Sequence, residues 1–213
     1  MQTLRCLTAA CFAVLVSIPA QAAPRPTSAA LSRAERDALR AGEVVSRPMH
    51  FETDTGSYRG GVSYSLVHAP AAAVLAALSN VDSLPQALPH TKSARLIDVR
   101  GTLARVELVH GGGTTYTVRI QRSAERSELR FWLDSSRPHD ISDVFGFFRV
   151  EPFGDGNSLV TVAAALDLGS SLTSLFFSDA VERSLLSTPG LIRNYVEPRS
   201  VALLEESGWA AGF

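Results

Sequence analysis

Cysteine is nearly missing from this chain. Of 213 residues only Cys6 and Cys11 are cysteines, and both fall in the N-terminal 22 residues. The rest can form no disulfide, and no thiolate is at hand as nucleophile or metal ligand. An excess of charge of one sign is missing too. The formal net charge is −1 and no run of Lys and Arg occurs, so nothing draws the chain to phosphate and nucleic acid is not an expected partner. No GxSxG marks a nucleophile elbow. The histidines, His50, His68, His90, His110 and His139, make no HExxH or other close metal spacing. Gly111-Gly112-Gly113 has strand patterns on both sides, whereas a phosphate loop needs a helix after it, so it reads as a hairpin turn with positive φ. No catalytic residue, metal ligand or cofactor motif stands out.

One long apolar run is present. Arg5 precedes the stretch Cys6 to Ile18, which is too short to span a bilayer comfortably. Pro19 ends it, and Ala20-Gln21-Ala22 supplies the small residues of a cleavage site. Residues 1–22 therefore read as a signal peptide. The protein is expected to start at Ala23 after export across the inner membrane, and to reside in the periplasm. Apolar residues make up 46% of the chain and charged residues 19%, which suits a folded domain rather than a disordered one.

Residues 23–59 read as a linker, a short helix from Leu31 to Ala41 and a lead-in strand. Ser28 offers a cap for that helix, Ser32 and Glu35 have capping-box spacing, and Gly42 suits its stop. Residues 43–68 hold one or two strands around the turn at Asp54-Thr55-Gly56, the better one being Gly61 to His68. Residues 71–79, AAAVLAALS, are strong helix formers, and a second short helix follows over 81–88. Six strands are then expected, at 93–100, 102–110, 114–122, 127–134, 143–152 and 158–168, and their short connections force antiparallel pairing. Val106, Leu108, Tyr116, Val118, Phe131 and Leu133 share one face by period-two alternation, while Arg105, Glu107, Arg119 and Arg130 take the other. Helical spacing returns over Leu172 to Leu186. Thr188 and Pro189 are expected to stop that helix and start a second one. Residues 207–213 read as a tail.

This order predicts an α+β fold in which a seven-stranded curved antiparallel sheet wraps a long C-terminal helix, with two short helices after the first strand. One helix cannot fill such a sheet, so a cavity is expected between them. His68-Ala69-Pro70 through Val74-Leu75-Ala76-Ala77-Leu78, and Asp82 to Pro89 followed by Ala94-Arg95-Leu96-Ile97, resemble the strand and helices that open the helix-grip fold. That is the fold of the START-like (SRPBCC) superfamily, which includes polyketide cyclases and coenzyme-Q-binding proteins. The resemblance covers residues 60–206 and implies a hydrophobic ligand. The candidate ligand-binding residues are Val106, Leu108, His110, Tyr116, Val118, Phe131, Leu133 and Phe147. His110 shares the inward parity of Leu108. It reads as a polar anchor, a weak acid–base group, or a strand-end residue that reaches solvent. Asp167, with the parity of Leu159 and Thr161, is read in the same way. The cluster His139, Asp140 and Asp143 reads as a polar loop. Phe145, Phe147, Phe148 and Leu175-Phe176-Phe177 suit core packing, pocket wall or a lip that touches membrane transiently. Three functions compete: a carrier of a lipid, quinone or polyketide-like molecule; a cyclase or aromatase using the same cavity; and a module that binds protein along the sheet edge. The sequence favours the first and leaves oligomeric state open.

Overall fold

The computed structural model describes residues 31–54, 56–169 and 172–206. The expected leader (1–22), the linker (23–30), the tail (207–213), Ser28 and the side chains of Leu175, Phe176 and Phe177 lie outside the described residues. No helix among the described residues is long and apolar enough to cross a membrane.

Eight strands form one antiparallel sheet: β1 (Val45–Thr53), β2 (Gly56–Val67), β3 (Thr91–Arg100), β4 (Leu103–His110), β5 (Thr115–Ser123), β6 (Glu128–Leu133), β7 (Asp143–Pro152) and β8 (Ser158–Asp167). Their order is β1-β2-β8-β7-β6-β5-β4-β3. The helices are α1 (Arg33–Arg40), α2 (Ala71–Ser79), α3 (Leu84–Ala87), α4 (Leu172–Val196) and α5 (Ser200–Glu206). The expected seven strands are eight, because 45–53 forms a strand of its own. Its sequence, VSRPMHFET, carries Pro48, which lacks an N–H for a ladder. Pro48 is tolerated because β1 is an edge strand. The close pairing of Pro48 with Gly61 needs the glycine, since a Cβ there would lie 2.2 Å from the Arg47 carbonyl oxygen.

The two faces of the sheet are covered differently. α4 packs on β2 and β8, α3 packs on β3 and meets α4, and α5 packs on α2, so both ends of the sheet curl toward the same helices. Irregular pairing of β3 with β4, at Thr91/Ser93 and Leu96/Asp98, adds to that curl. One end of the interior is packed solid. There Val74, Ala77 and Leu78 of α2 meet Phe148, Val150, Val160 and Val162 of the sheet and Ile192, Val196 and Leu203 from the C-terminal helices. On the outer face α1 lays Leu39 over Tyr64, Leu66 and Leu159. Ser32 caps α1 in a full capping box with Glu35. Arg47 of β1 then grips the Glu35 carboxylate at 2.8 and 2.9 Å, tying helix to edge strand.

The expected break at Pro189 does not occur: α4 runs 25 residues straight through it. Proline removes the N–H that would bond the Leu185 carbonyl. The hydroxyl of Thr188 donates to that carbonyl instead, at 2.6 Å, so the turn stays satisfied. Pro198 does reset the helix, through a single tighter turn at Glu197–Arg199 before α5.

Polar residues of the outer face are organised rather than merely wet. Asp134, fully buried, accepts from Arg105 at 2.9 Å, from Arg119 at 2.7 Å and from Ser136 at 2.6 Å. The Arg119 hydrogen bond, more than burial opposes it, holds this carboxyl far below its ordinary value. Glu128 is likewise buried. Burial alone would raise it, but Arg130 and Arg149 outweigh burial and hold it low.

Candidate functional site: an apolar cavity

Between the sheet and the helices lies a cavity of about 260 Å³. An apolar cavity of about 150 Å³ is enough to take up benzene, so this one has room for a small organic molecule. β4 to β8 supply one wall, with Leu108, Val118, Phe131, Phe148, Val162 and Leu166 among its apolar residues. Leu78, Leu84 and Leu88 close one side. Val181, Ser184, Leu185 and Thr188 of α4 close the other, at the i, i+3, i+4, i+7 spacing of one helical face. Exposed His90 and Gly111 stand at the rim, where the Gly111 N–H donates to the His90 carbonyl at 2.8 Å and holds His90 at a φ of 54°. The room comes from small residues. Ala164 leaves open space among the lining residues, while Gly146 beside it has no room for a Cβ, which would lie 2.1 Å from the Ala163 carbonyl oxygen and 2.6 Å from the Phe131 ring.

The polar end is made by β4 and β5. His110 stacks on Tyr116 with ring centroids 5.1 Å apart and planes 11° from parallel. The His110 Nδ1 lies 3.5 Å from the Thr91 hydroxyl, and its Nε2 is buried with no hydrogen-bond partner. Burial lowers the His110 pKa, the Pro89 carbonyl opposes that by accepting from the ring, and nearby His90 adds to the lowering. Burial raises the Tyr116 phenol well above its ordinary value. The pair therefore stays neutral near pH 7.

Of the eight residues expected from sequence, Leu108, His110, Tyr116, Val118 and Phe131 line the cavity. Val106 and Leu133 also face inward but are packed in the adjoining core with Leu84 and Ile141. Val106 borders only a separate void of about 20 Å³. Phe147 is on the wrong face. Val144, Gly146, Phe148 and Val150 set the inward parity of β7, so Phe145 and Phe147 point outward, and the Arg149 guanidinium sits 5.0 Å above the Phe147 ring. Asp167 likewise points away, since its parity partner Leu159 lies under α1. The loop cluster is structural: Asp140 accepts from the Thr115 N–H at 2.7 Å and Asp143 from the Tyr58 hydroxyl at 2.8 Å. Among the described residues no group of three or more His, Cys, Asp or Glu could hold a metal ion. The helix was expected to cover the cavity, but its lining residues Val181, Ser184, Leu185 and Thr188, and the α2–α3 side of the wall, were not singled out. Ser184 and Thr188 interrupt the apolar stripe on α4 and hide it.

A family model described as polyketide cyclase / dehydrase and lipid transport matches residues 67–188, more than half of the chain. No curated protein matches the sequence significantly. Several solved structures share the fold. The Zhui aromatase/cyclase of a Streptomyces species superposes with a TM-score of 0.58 at 15% identity, covering 67% of this chain and 95% of that one. A STAR-related lipid transfer protein fragment from Xanthomonas axonopodis gives 0.56 at 13% identity, over 71% and 98%. A START superfamily protein from Mycobacterium smegmatis gives 0.52 at 16%, over 67% and 97%. At such identities the likeness is one of fold.

Proposed function

The chain belongs to the polyketide cyclase / dehydrase and lipid transport family, and we propose that it is an exported carrier of a hydrophobic small molecule held in the cavity between sheet and α4. The carrying observation is the cavity itself: walled mainly by Leu, Val, Ile and Phe, large enough for a ligand, and furnished at one end with the neutral pair His110 and Tyr116. Binding would come from buried apolar area, about 25 cal/mol per Å² before the costs of association. Export rests on the signal-peptide pattern of residues 1–22. Native mass spectrometry of protein purified without detergent tests the carrier reading. A lipophilic adduct that leaves on activation is expected; bare protein that also fails to take up the fluorophore phenylnaphthylamine refutes it. Intact mass of the secreted material should begin at or near Ala23, and a full-length species held in the inner membrane would refute export.

One observation favours a second reading, a cyclase or aromatase acting on a similar ligand. His110 is a neutral imidazole with a buried, unpartnered Nε2, free to take a proton from a ligand within hydrogen-bond reach, and the Tyr116 phenol stacked on it can orient that ligand. Conversion of a bound ligand that is lost in His110→Leu while the ligand still binds would favour it over the carrier.

A further inference from the structure

We infer that the cavity selects an uncharged ligand whose polar end is a hydroxyl or a carbonyl, and rejects fatty acids and other anions. This deepens the carrier reading and rests on it. No Asp, Glu, Lys or Arg occurs among the described residues that line the cavity. Residues 170–178, SSLTSLFFS, contribute none by sequence. Four arginines of the sheet are committed on the opposite face, Arg105 and Arg119 to Asp134 and Arg130 and Arg149 to Glu128, and Arg122, which has inward parity, borders the separate small void rather than the cavity. Arg183, beside Ser184, and Lys92, two residues from His90, are exposed, and Glu182, beside Val181, pairs with His50. Arg193 of α4 reaches the Gly42 carbonyl.

The hydrogen-bonding chemistry that remains is neutral. His110 Nε2 is buried without a partner, and among the described residues nothing hydrogen-bonds the Tyr116 hydroxyl. An uncharged imidazole whose other nitrogen donates to Pro89 accepts a hydrogen bond at Nε2, and a phenol both donates and accepts. A ligand hydroxyl satisfies both groups at once, and a ligand carbonyl satisfies the phenol. A carboxylate placed there would lose its hydration and find no counter-charge. It could enter only after taking up a proton. At pH 7 an acid with a pKa of about 4.3 is protonated roughly once in 500 molecules. The titratable groups around it would be His90, His110 and Tyr116.

The test is competition at pH 7, with decanol and decanoate displacing phenylnaphthylamine from the intact protein. Decanol should displace the probe at a concentration lower by about 100-fold or more, following the protonation cost. Tyr116→Phe, which keeps the ring, should weaken decanol roughly three- to tenfold, the effect of one lost hydrogen bond. Decanoate and decanol displacing the probe within a few-fold of each other would overturn the inference and leave the carrier reading standing, as would decanol binding unchanged by Tyr116→Phe. If the neutral probe is not taken up at all, the carrier reading fails, and this inference with it.

Discussion

His110 shows what burial does to one side chain. In the unfolded chain its pKa is the ordinary 6.5; in the folded protein burial lowers it. Below pH 6.5 the unfolded state therefore binds more protons than the folded state. The stability that depends on neutral His110 is present above that value and is lost as pH falls from it toward the lower folded one. The urea midpoint should consequently drop on acidification from pH 7 to about 5, and His110→Leu should make that drop smaller. An identical pH dependence in both proteins would show that His110 is not buried as described. Residue-level reading of the sequence succeeded where alternation was clean: Leu108, Tyr116 and Val118 lie on β4 and β5 stretches in which each inward residue has a polar neighbour. It failed in β7, where Phe145, Phe147 and Phe148 fall on both faces and only the shared parity of Asp143, Arg149 and Glu151 with Phe147 marks it as outward. Phe147 then went to the wrong face.

At the scale of the element, α4 and the α1–β1 unit carry the instructive differences. Pro189 is a helix breaker by local rules, and only the side chain preceding it reveals why the helix continues. Thr188→Val removes the hydroxyl that serves the Leu185 carbonyl and should cost about 1–2 kcal/mol, while Thr188→Ser should restore most of it. Chemical denaturation of the three proteins checks this, and equal midpoints would contradict it. The strand at 45–53 was blurred in the sequence because an edge strand needs neither alternation nor freedom from proline. Its partner helix was legible through the Ser32–Glu35 spacing, and the Arg47 link was not, since it joins residues twelve apart. The Ser32 backbone N–H, then Arg47 and the Ser32 hydroxyl, lower the Glu35 pKa from 4.5 to about 2. The stability tied to ionised Glu35 is thus present above about 4.5 and lost as pH falls toward about 2. NMR titration should find Glu35 near that low value in the parent and higher in Arg47→Met. Remaining depressed to the same extent would contradict the Arg47 contribution.

For the whole molecule, the order of elements was enough to foresee a sheet curled on one long helix, because short connections allow only antiparallel neighbours and one apolar face needs a cover. Where the resulting space would lie was not foreseeable from alternation alone. Inward positions such as Val106 and Leu133 look the same in sequence as Leu108 and Val118, yet the first two are packed and the others line open volume. That difference is set by what stands opposite: α2 and α3 fill one region, while Ala164 and the small Ser184 and Thr188 of α4 leave the other open. Val106→Trp should accordingly overpack, costing about 1–3 kcal/mol in urea unfolding. Ala164→Phe instead extends a ring into the cavity. The most direct measurement is phenylnaphthylamine titration together with urea unfolding of the parent and Ala164→Phe. A true cavity predicts saturable uptake by the parent, uptake weakened at least about tenfold in Ala164→Phe, and a stability change below about 1 kcal/mol, less than overpacking a full core costs. No uptake by the parent, or a large loss of stability in Ala164→Phe with uptake unchanged, would contradict the central claim that this fold encloses a ligand-binding space.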